Sequence, residues 1–324
     1  MRWANPFHRS SSTANRGVSK WGDRTFFVLT GAAALAVIGI LIAYVVAIYY
    51  GAKPSIDLFG FRFLTTRVWS EETNTYGVVP FAVGTLVTSA IALLIAVPLS
   101  LGAAMFLTQQ APPWLRNPVG QLIELLAAIP SIIYGLWGLV VLVPIMRYDI
   151  DPVLFKWLWW TGLVNGGPTT GLDVLTASVI LAVMVIPTIT AISRDSLAAV
   201  PTSQKEAALS IGATHWEVTR HAVLPYARGG IFAGIVLGLG RALGETMAVT
   251  LVIGNTNQVP NSLFSPAQTI STLLANQFFE AVNSTEHAAL IEAGLVLLVI
   301  TLLVNVGARV VLLRFERGRG VGQE

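Results

Sequence analysis

Six stretches of this chain are continuously apolar over lengths that match a lipid bilayer, near residues 26–50, 81–107, 118–145, 174–193, 226–253 and 287–313. A helix needs about 20 such residues to cross about 30 Å of hydrocarbon, so each run is long enough for one crossing. The pattern predicts an all-α integral membrane protein with six transmembrane helices. Composition agrees: 54% of residues are hydrophobic and 11% charged, against about 45–50% and about 25% in soluble domains.

The basic residues set an orientation. With the N-terminus inside, Arg2, Arg9, Arg16, Lys20, Arg24, Arg116, Arg194, Lys205, Arg220, Arg228, Arg309, Arg314, Arg317 and Arg319 all fall on the cytoplasmic side, and only Lys53, Arg62, Arg67, Arg147 and Lys156 fall opposite. The positive-inside rule then places both termini and the 194–228 connection in the cytoplasm. The net charge of +3 is accounted for by topology and gives no reason to invoke nucleic acid. The 254–285 connection has no Lys or Arg, as an exported loop should. Residues 1–25 read as a basic, unstructured tail, with a short interfacial helix around Trp21 left open. The apolar stretch that follows lacks a small-residue cleavage site and reads as an uncleaved signal anchor. Residues 26–313 form the membrane domain, and 314–324 a second cytoplasmic tail. Trp69, Trp157, Trp159 and Trp160 are expected as headgroup-level anchors. The absence of cysteine removes disulfide and thiolate chemistry.

Between the fourth and fifth runs lies a polar segment, 201–225, containing EAALSIGATHWEVTRHAVLP. Ser203 with Glu206 and Thr214 with Glu217 are spaced as capping boxes, Gly212 stands between them, and Pro225 closes the second element. Helix, tight bend, helix is the expectation. The segment resembles the EAA loop of ATP-binding-cassette importer permeases, with Glu206, Ala207, Ala208, Gly212, Leu224 and Pro225 at that family's spacing and Ala222 where the family has Ile. The resemblance implies that these residues couple the membrane helices to a cytoplasmic ATPase. Glu206 has a second reading, as the partner in its own capping box. His215 and His221 lack the company of metal ligands, so no metal site is expected.

The fifth run carries Arg241 and Glu245 deep in apolar sequence. A charge near the bilayer centre costs about 2.5–3.5 kcal/mol on insertion scales, so such a pair needs a reason. On a continuous helix Gly230, Gly234, Gly238, Arg241, Glu245 and Ala248 share a sector of about 80°. Glycines four apart let a neighbouring helix approach closely, and the same face would carry both charges inward. Two readings follow: an internal salt bridge that fixes packing, or an anion path. In the second, the Arg241 fork meets a tetrahedral oxyanion and Glu245 neutralises it when the path is empty. Gly238, Gly240 and Gly244 do not make a phosphate loop, because no strand precedes them and no Lys-Ser or Lys-Thr follows. The chain is therefore expected to bind no cofactor, with any ATP used by a partner ATPase. Thr85 and Ser131 are further pathway candidates, as are Thr88, Ser89, Tyr134, Thr188 and Thr190, against the competing reading of such residues as helix-helix glue. Pro98, Pro130 and Pro187 interrupt three runs, and a break at Pro130 would open backbone groups beside Ser131.

The string RALGETMAV, Arg241 to Val249, narrows the resemblance to phosphate-specific importer permeases of the PstC type, and the strings from Glu72 to Leu107 and from Ile123 to Pro144 agree with it. The resemblance implies a type I importer permease of MetI-like architecture that passes inorganic phosphate through a membrane-lipid environment. It also implies a second homologous permease of the PstA type, two cytoplasmic ATPase subunits of the PstB type and an extracytoplasmic phosphate-binding protein of the PstS type. Arg241 and Glu245 match the motif assigned to phosphate passage. Alternatives remain open: an ion-coupled secondary carrier with Glu245 as proton site, a membrane enzyme, and a permease for sulfate or molybdate.

Overall fold

The apolar runs fold as helices in the computed structural model, which describes residues 20–165 and 170–317. The tails expected at 1–25 and 314–324 lie outside the described residues up to residue 19 and from residue 318. Six helical runs among those described are long and apolar enough to cross a membrane: Gly22–Leu64, Val79–Gln110, Ser131–Thr161, Val174–Ala198, His215–Gly244 and Ser284–Val310. Helix α1 (Lys20–Phe59) starts before the expected run. The chain divides into two units at Ala47 and Ile48. In the first, α1 exposes nearly every side chain, Phe26, Leu35 and Ile40 among them, as a helix solvated by acyl chains does.

The second unit holds α2 (Val79–Met105), α3 (Pro113–Ala128), α4 (Ser131–Trp137), α5 (Val143–Ile145), α6 (Asp151–Leu158), α7 (Val174–Ala198), α8 (Thr202–Ser210), α9 (His215–Val218), α10 (Leu224–Gly244), α11 (Met247–Val252), α12 (Ile270–Gln277) and α13 (Ser284–Arg317). Helix α7 is central, packed against α2, α3 and α10. It buries Ile180, Leu181, Met184, Val185 and Ile189 in the main apolar cluster. Ser100 on α2 donates to the Ile186 carbonyl of α7 at 3.2 Å, beside Pro187.

Several boundaries differ from expectation, each for a local reason. The third run does not begin at 118: α3 stops at Ala128, Ile129 and Pro130 are extended, and the crossing starts at Ser131 and stays helical to Thr161. Proline lacks the N–H a helix needs and holds the preceding residue out of helical space. Pro225 does not end a helix. A π-helical turn at Thr219–Val223 absorbs the missing donor, and the run continues from His215 to Gly244. Ser203 forms no capping box, because α8 already starts at Thr202 after Pro201, with no side-chain cap.

Two segments read as peripheral are interior. Trp69 is buried rather than belted at the interface. Strands β1 (Trp69–Ser70) and β2 (Thr75–Tyr76) pair antiparallel, and the Trp69 ring stands edge-on to Tyr76 at 4.9 Å and to Phe81 at 5.3 Å. Such aromatic pairs add to the area they bury. Trp157, Trp159 and Trp160 are exposed. The 254–285 connection is not a free loop either: Phe264, Ala267, Gln268, Ile270 and Leu273 are buried. It folds onto α2 at Gly84, where an added Cβ would collide with the Gln268 carbonyl oxygen. The segment has no Lys or Arg to keep in water, and its one charged residue, Glu280, stays exposed.

Candidate functional site: an interrupted fifth span and its cavity

The fifth run is a broken helix. Helix α10 closes at Gly244, Glu245 takes an extended backbone (φ −67°, ψ 132°), and α11 resumes at Met247. The break separates the pair that a continuous helix would have stacked. Arg241 Nη1 reaches across to α7 and donates to Thr188 Oγ1 at 3.3 Å. Glu245 Oε1 instead accepts the Ala248 N–H at 3.4 Å, at the start of α11. Among the described residues the ion pairs are Arg194 with Glu124 at 2.8 Å and with Asp195 at 3.0 Å. The internal salt bridge between Arg241 and Glu245 is thus corrected. Gly244 supplies no side chain to hold the last turn, and the Glu245 carboxylate finds backbone N–H at a helix start, where negative charge is favoured.

The break at Ile129 and Pro130 lies on a neighbouring element. Helix α4 packs on α11 through Gly135, whose added Cβ would stand 2.8 Å from Ala248 Cα and 2.8 Å from Leu251 Cδ1. Tyr134 donates its hydroxyl to the Leu126 carbonyl at 2.8 Å, which satisfies one group the break frees. Ser131, half-buried, opens α4 at this interruption. Non-helical backbone at membrane depth persists only where protein or a water-lined cavity surrounds it.

The glycine stripe faces α7. An added Cβ at Gly230 would collide with Ser196, at Gly234 it would lie 3.2 Å from Ile192 Cβ, and at Gly238 2.8 Å from both Ile189 Cγ1 and Val185 Cγ1. Close approach of α10 to α7 is what brings Thr188 within reach of Arg241. Thr85 requires a correction: it is fully buried, donates to the Phe81 carbonyl at 2.7 Å and accepts the Ile270 N–H at 3.0 Å. Both bonding directions are used inside the fold, so Thr85 tethers α12 to α2 and does not front a path.

A cavity of about 840 Å³ opens beside Arg241, walled by Phe232, Ala233, Val236 and Leu237 of α10 and by Asn305, Val306 and Arg309 of α13, with Thr188 and Gly240. Asn305 and Arg309 were not singled out from sequence. Arg309 counted only as a topology charge, whereas an asparagine four residues before an arginine in an apolar run, LLVNVGAR, was the available signal. No group of three or more His, Asp or Glu able to hold a metal occurs among the described residues.

The 201–225 segment lies elsewhere. Gly212 has φ +88° and ends α8 in a left-handed residue, with its N–H bonded to the Leu209 carbonyl at 2.9 Å and the Ala213 N–H to the Ala208 carbonyl at 3.3 Å. Both bonds of a Schellman motif are present. The Thr214 and Glu217 capping box forms, with Thr214 N–H donating to Glu217 Oε2 at 2.8 Å. Glu206 and Ala207 are exposed, Ala208 half-buried, and Leu209, Ile211 and Trp216 stand out as exposed apolar side chains. Leu224 and Pro225 are half-buried at the start of α10, and Leu224 packs against the cluster that holds Val218, Val223 and Ala227.

Residues 96–317 match the family described as binding-protein-dependent transport system inner membrane component. The phosphate transport system permease protein PstC of Mesorhizobium japonicum is 45% identical over 97% of this chain and 97% of its own length. That of Pasteurella multocida is 47% identical over 89% and 90%. A solved bacterial alginate ABC transporter in complex with an alginate pentasaccharide-bound periplasmic protein superposes with a TM-score of 0.60 at 20% identity, covering 89% of this chain and 95% of that one. At that identity the likeness speaks for the fold alone.

Proposed function

This chain belongs to the binding-protein-dependent transport system inner membrane component family, and within it we propose that the chain is the permease subunit of an ATP-driven importer of inorganic phosphate. It is a multi-pass protein of the bacterial inner membrane. Both tails and the 201–225 segment face the cytoplasm, a reading supported by the Lys and Arg distribution. The chain binds no cofactor of its own. ATP is hydrolysed by a separate pair of PstB-type subunits, a PstA-type permease forms the other half of the path, and a PstS-type protein delivers phosphate from outside.

The observation that carries this reading is Arg241, held at an interrupted crossing, beside a cavity, without a carboxylate partner among the described residues. A guanidinium in apolar surroundings attracts an oxyanion far more strongly than in water. Glu245 already takes a helix-start N–H, so it leaves Arg241 free to meet the ion. The exposed ridge from Glu206 to Trp216 is the surface on which an ATPase would push, and the rigid Gly212 bend would carry that push to α10. In the two access states the Arg241 side would open to one face of the membrane and then the other.

Arg241→Ala in the assembled complex is expected to abolish phosphate uptake into proteoliposomes while ATP hydrolysis continues. Uptake at the unsubstituted rate would remove Arg241 from the path and the carrying observation with it.

A further inference from the structure

Arg241 is not the only cation on its cavity. Arg309 lines the same space from α13, and it too has no carboxylate partner among the described residues. Asn305 lines the cavity as well, and its Oδ1 is shut off from solvent and accepts no hydrogen bond. A buried acceptor left unpaired is costly and calls for a reason. The amide nitrogen lies close to Gly240 of the cavity wall, where an added Cβ would stand 3.9 Å from it. The polar side chains lining this cavity are Arg241, Arg309, Asn305 and Thr188, with no carboxylate among them: two guanidiniums and an amide that can donate, and a hydroxyl that accepts from Arg241. The remaining lining is Phe232, Ala233, Val236, Leu237 and Val306, a low-dielectric wall that strengthens the field of the two charges.

Helices α10 and α13 place these donors in series. Arg309 lies four residues beyond Asn305, about 6 Å along the helix at 1.5 Å per residue, and the cavity runs down α10 from Arg241 to Phe232. We propose that Asn305 and Arg309 form a second anion station, which receives inorganic phosphate from Arg241 on its way toward the end of α10 that adjoins the 201–225 segment. The proposal rests on the phosphate-importer reading. The chemistry the donors recognise is a phosphoryl oxyanion, which a free ion or a lipid headgroup supplies, and the station is assigned to the free ion because Arg241 on the same cavity handles that cargo.

The chain contains no cysteine, so Val306→Cys places one reactive thiol on the cavity wall. In the full complex, purified in a phosphate-free detergent without phospholipid, inorganic phosphate is expected to slow labelling of that thiol by a charged thiol reagent. Adding Arg309→Gln is expected to weaken the protection about tenfold in phosphate concentration, a loss typical of one charge-assisted contact. Arg309→Lys retains most of it, and Asn305→Leu loses part. Co-purification of all subunits with each variant checks assembly. Protection by phosphatidylglycerol but not by inorganic phosphate would overturn the proposal, and so would phosphate protection that Arg309→Gln leaves unchanged. Phosphate uptake by the unsubstituted complex is measured in parallel: its absence counts against the importer reading, whereas normal uptake with an indifferent thiol counts against the second station alone.

Discussion

Replacing Thr85 by Val separates a structural tether from an ion contact. Valine keeps the shape of threonine, so the packed wall around the side chain is filled and little cavity cost arises. What disappears is the hydroxyl that accepts the Ile270 N–H at 3.0 Å while donating to the Phe81 carbonyl at 2.7 Å. The Phe81 carbonyl retains its helix bond, but the Ile270 N–H, at the start of α12 and fully buried, is left without an acceptor. An orphaned buried donor costs about 1–3 kcal/mol. Side-chain hydrogen bonds between membrane helices average nearer 0.6 kcal/mol, so a destabilisation of about 1–2 kcal/mol is expected. Thr85→Ser keeps both bonds and loses one methyl, for about 0.8 kcal/mol. Melting of the detergent-purified complex should therefore rank Thr85 above Ser and Ser above Val, with phosphate uptake per assembled complex close to normal in both variants. Lost uptake in Thr85→Val at an unchanged melting temperature would refute the tether and return Thr85 to the path.

Gly238→Ala pushes a Cβ to 2.8 Å from Ile189 and Val185, an overpacking cost of about 1–3 kcal/mol against about 1 kcal/mol of helix propensity regained. The complex should melt lower, and Gly102→Ala, with nothing within 4 Å, should not; equal behaviour of the two would count against close α10 to α7 packing. Gly212→Ala puts a side chain at φ +88°, costing about 1–2 kcal/mol. Phosphate transported per ATP hydrolysed should fall, Gly212→Asn should restore much of it, and an unchanged ratio would deny the bend a coupling role.

The crossings and the bend were legible in the chain because their causes are local. Twenty apolar residues in a row have one use in a bilayer, and Gly212 followed by Thr214 and Glu217 specifies a left-handed stop and a capped restart whatever surrounds them. Gly230, Gly234 and Gly238 share a face by helical period alone. Local patterns were less dependable where proline was concerned: Pro130 breaks its run, while Pro225 passes through a π-helical turn, and the difference depends on whether the neighbouring backbone finds other partners.

The pairing of Arg241 with Glu245 failed because a four-residue spacing has meaning only on an unbroken helix, and here the helix breaks at Glu245, after Gly244, before α11 packs on α4 at Gly135. Trp69 and the 254–285 segment went inward for a similar reason. Whether an aromatic ring or a loop without Lys or Arg meets lipid, water or protein depends on what lies across from it, here Phe81 and Gly84. Sequence alone determined that the chain lives in a membrane, how many times it crosses, and that Arg241 demands an explanation, since each follows from the cost of putting particular groups in hydrocarbon. Tertiary structure alone decided which partner each polar group found: Thr188 for Arg241, a helix start for Glu245, α12 for Thr85, and a shared cavity for Asn305 and Arg309. Arg241 and Thr188 lie 53 positions apart and Thr85 and Ile270 185 apart, so only the packing of α10 on α7 and of α12 on α2 brings them within reach.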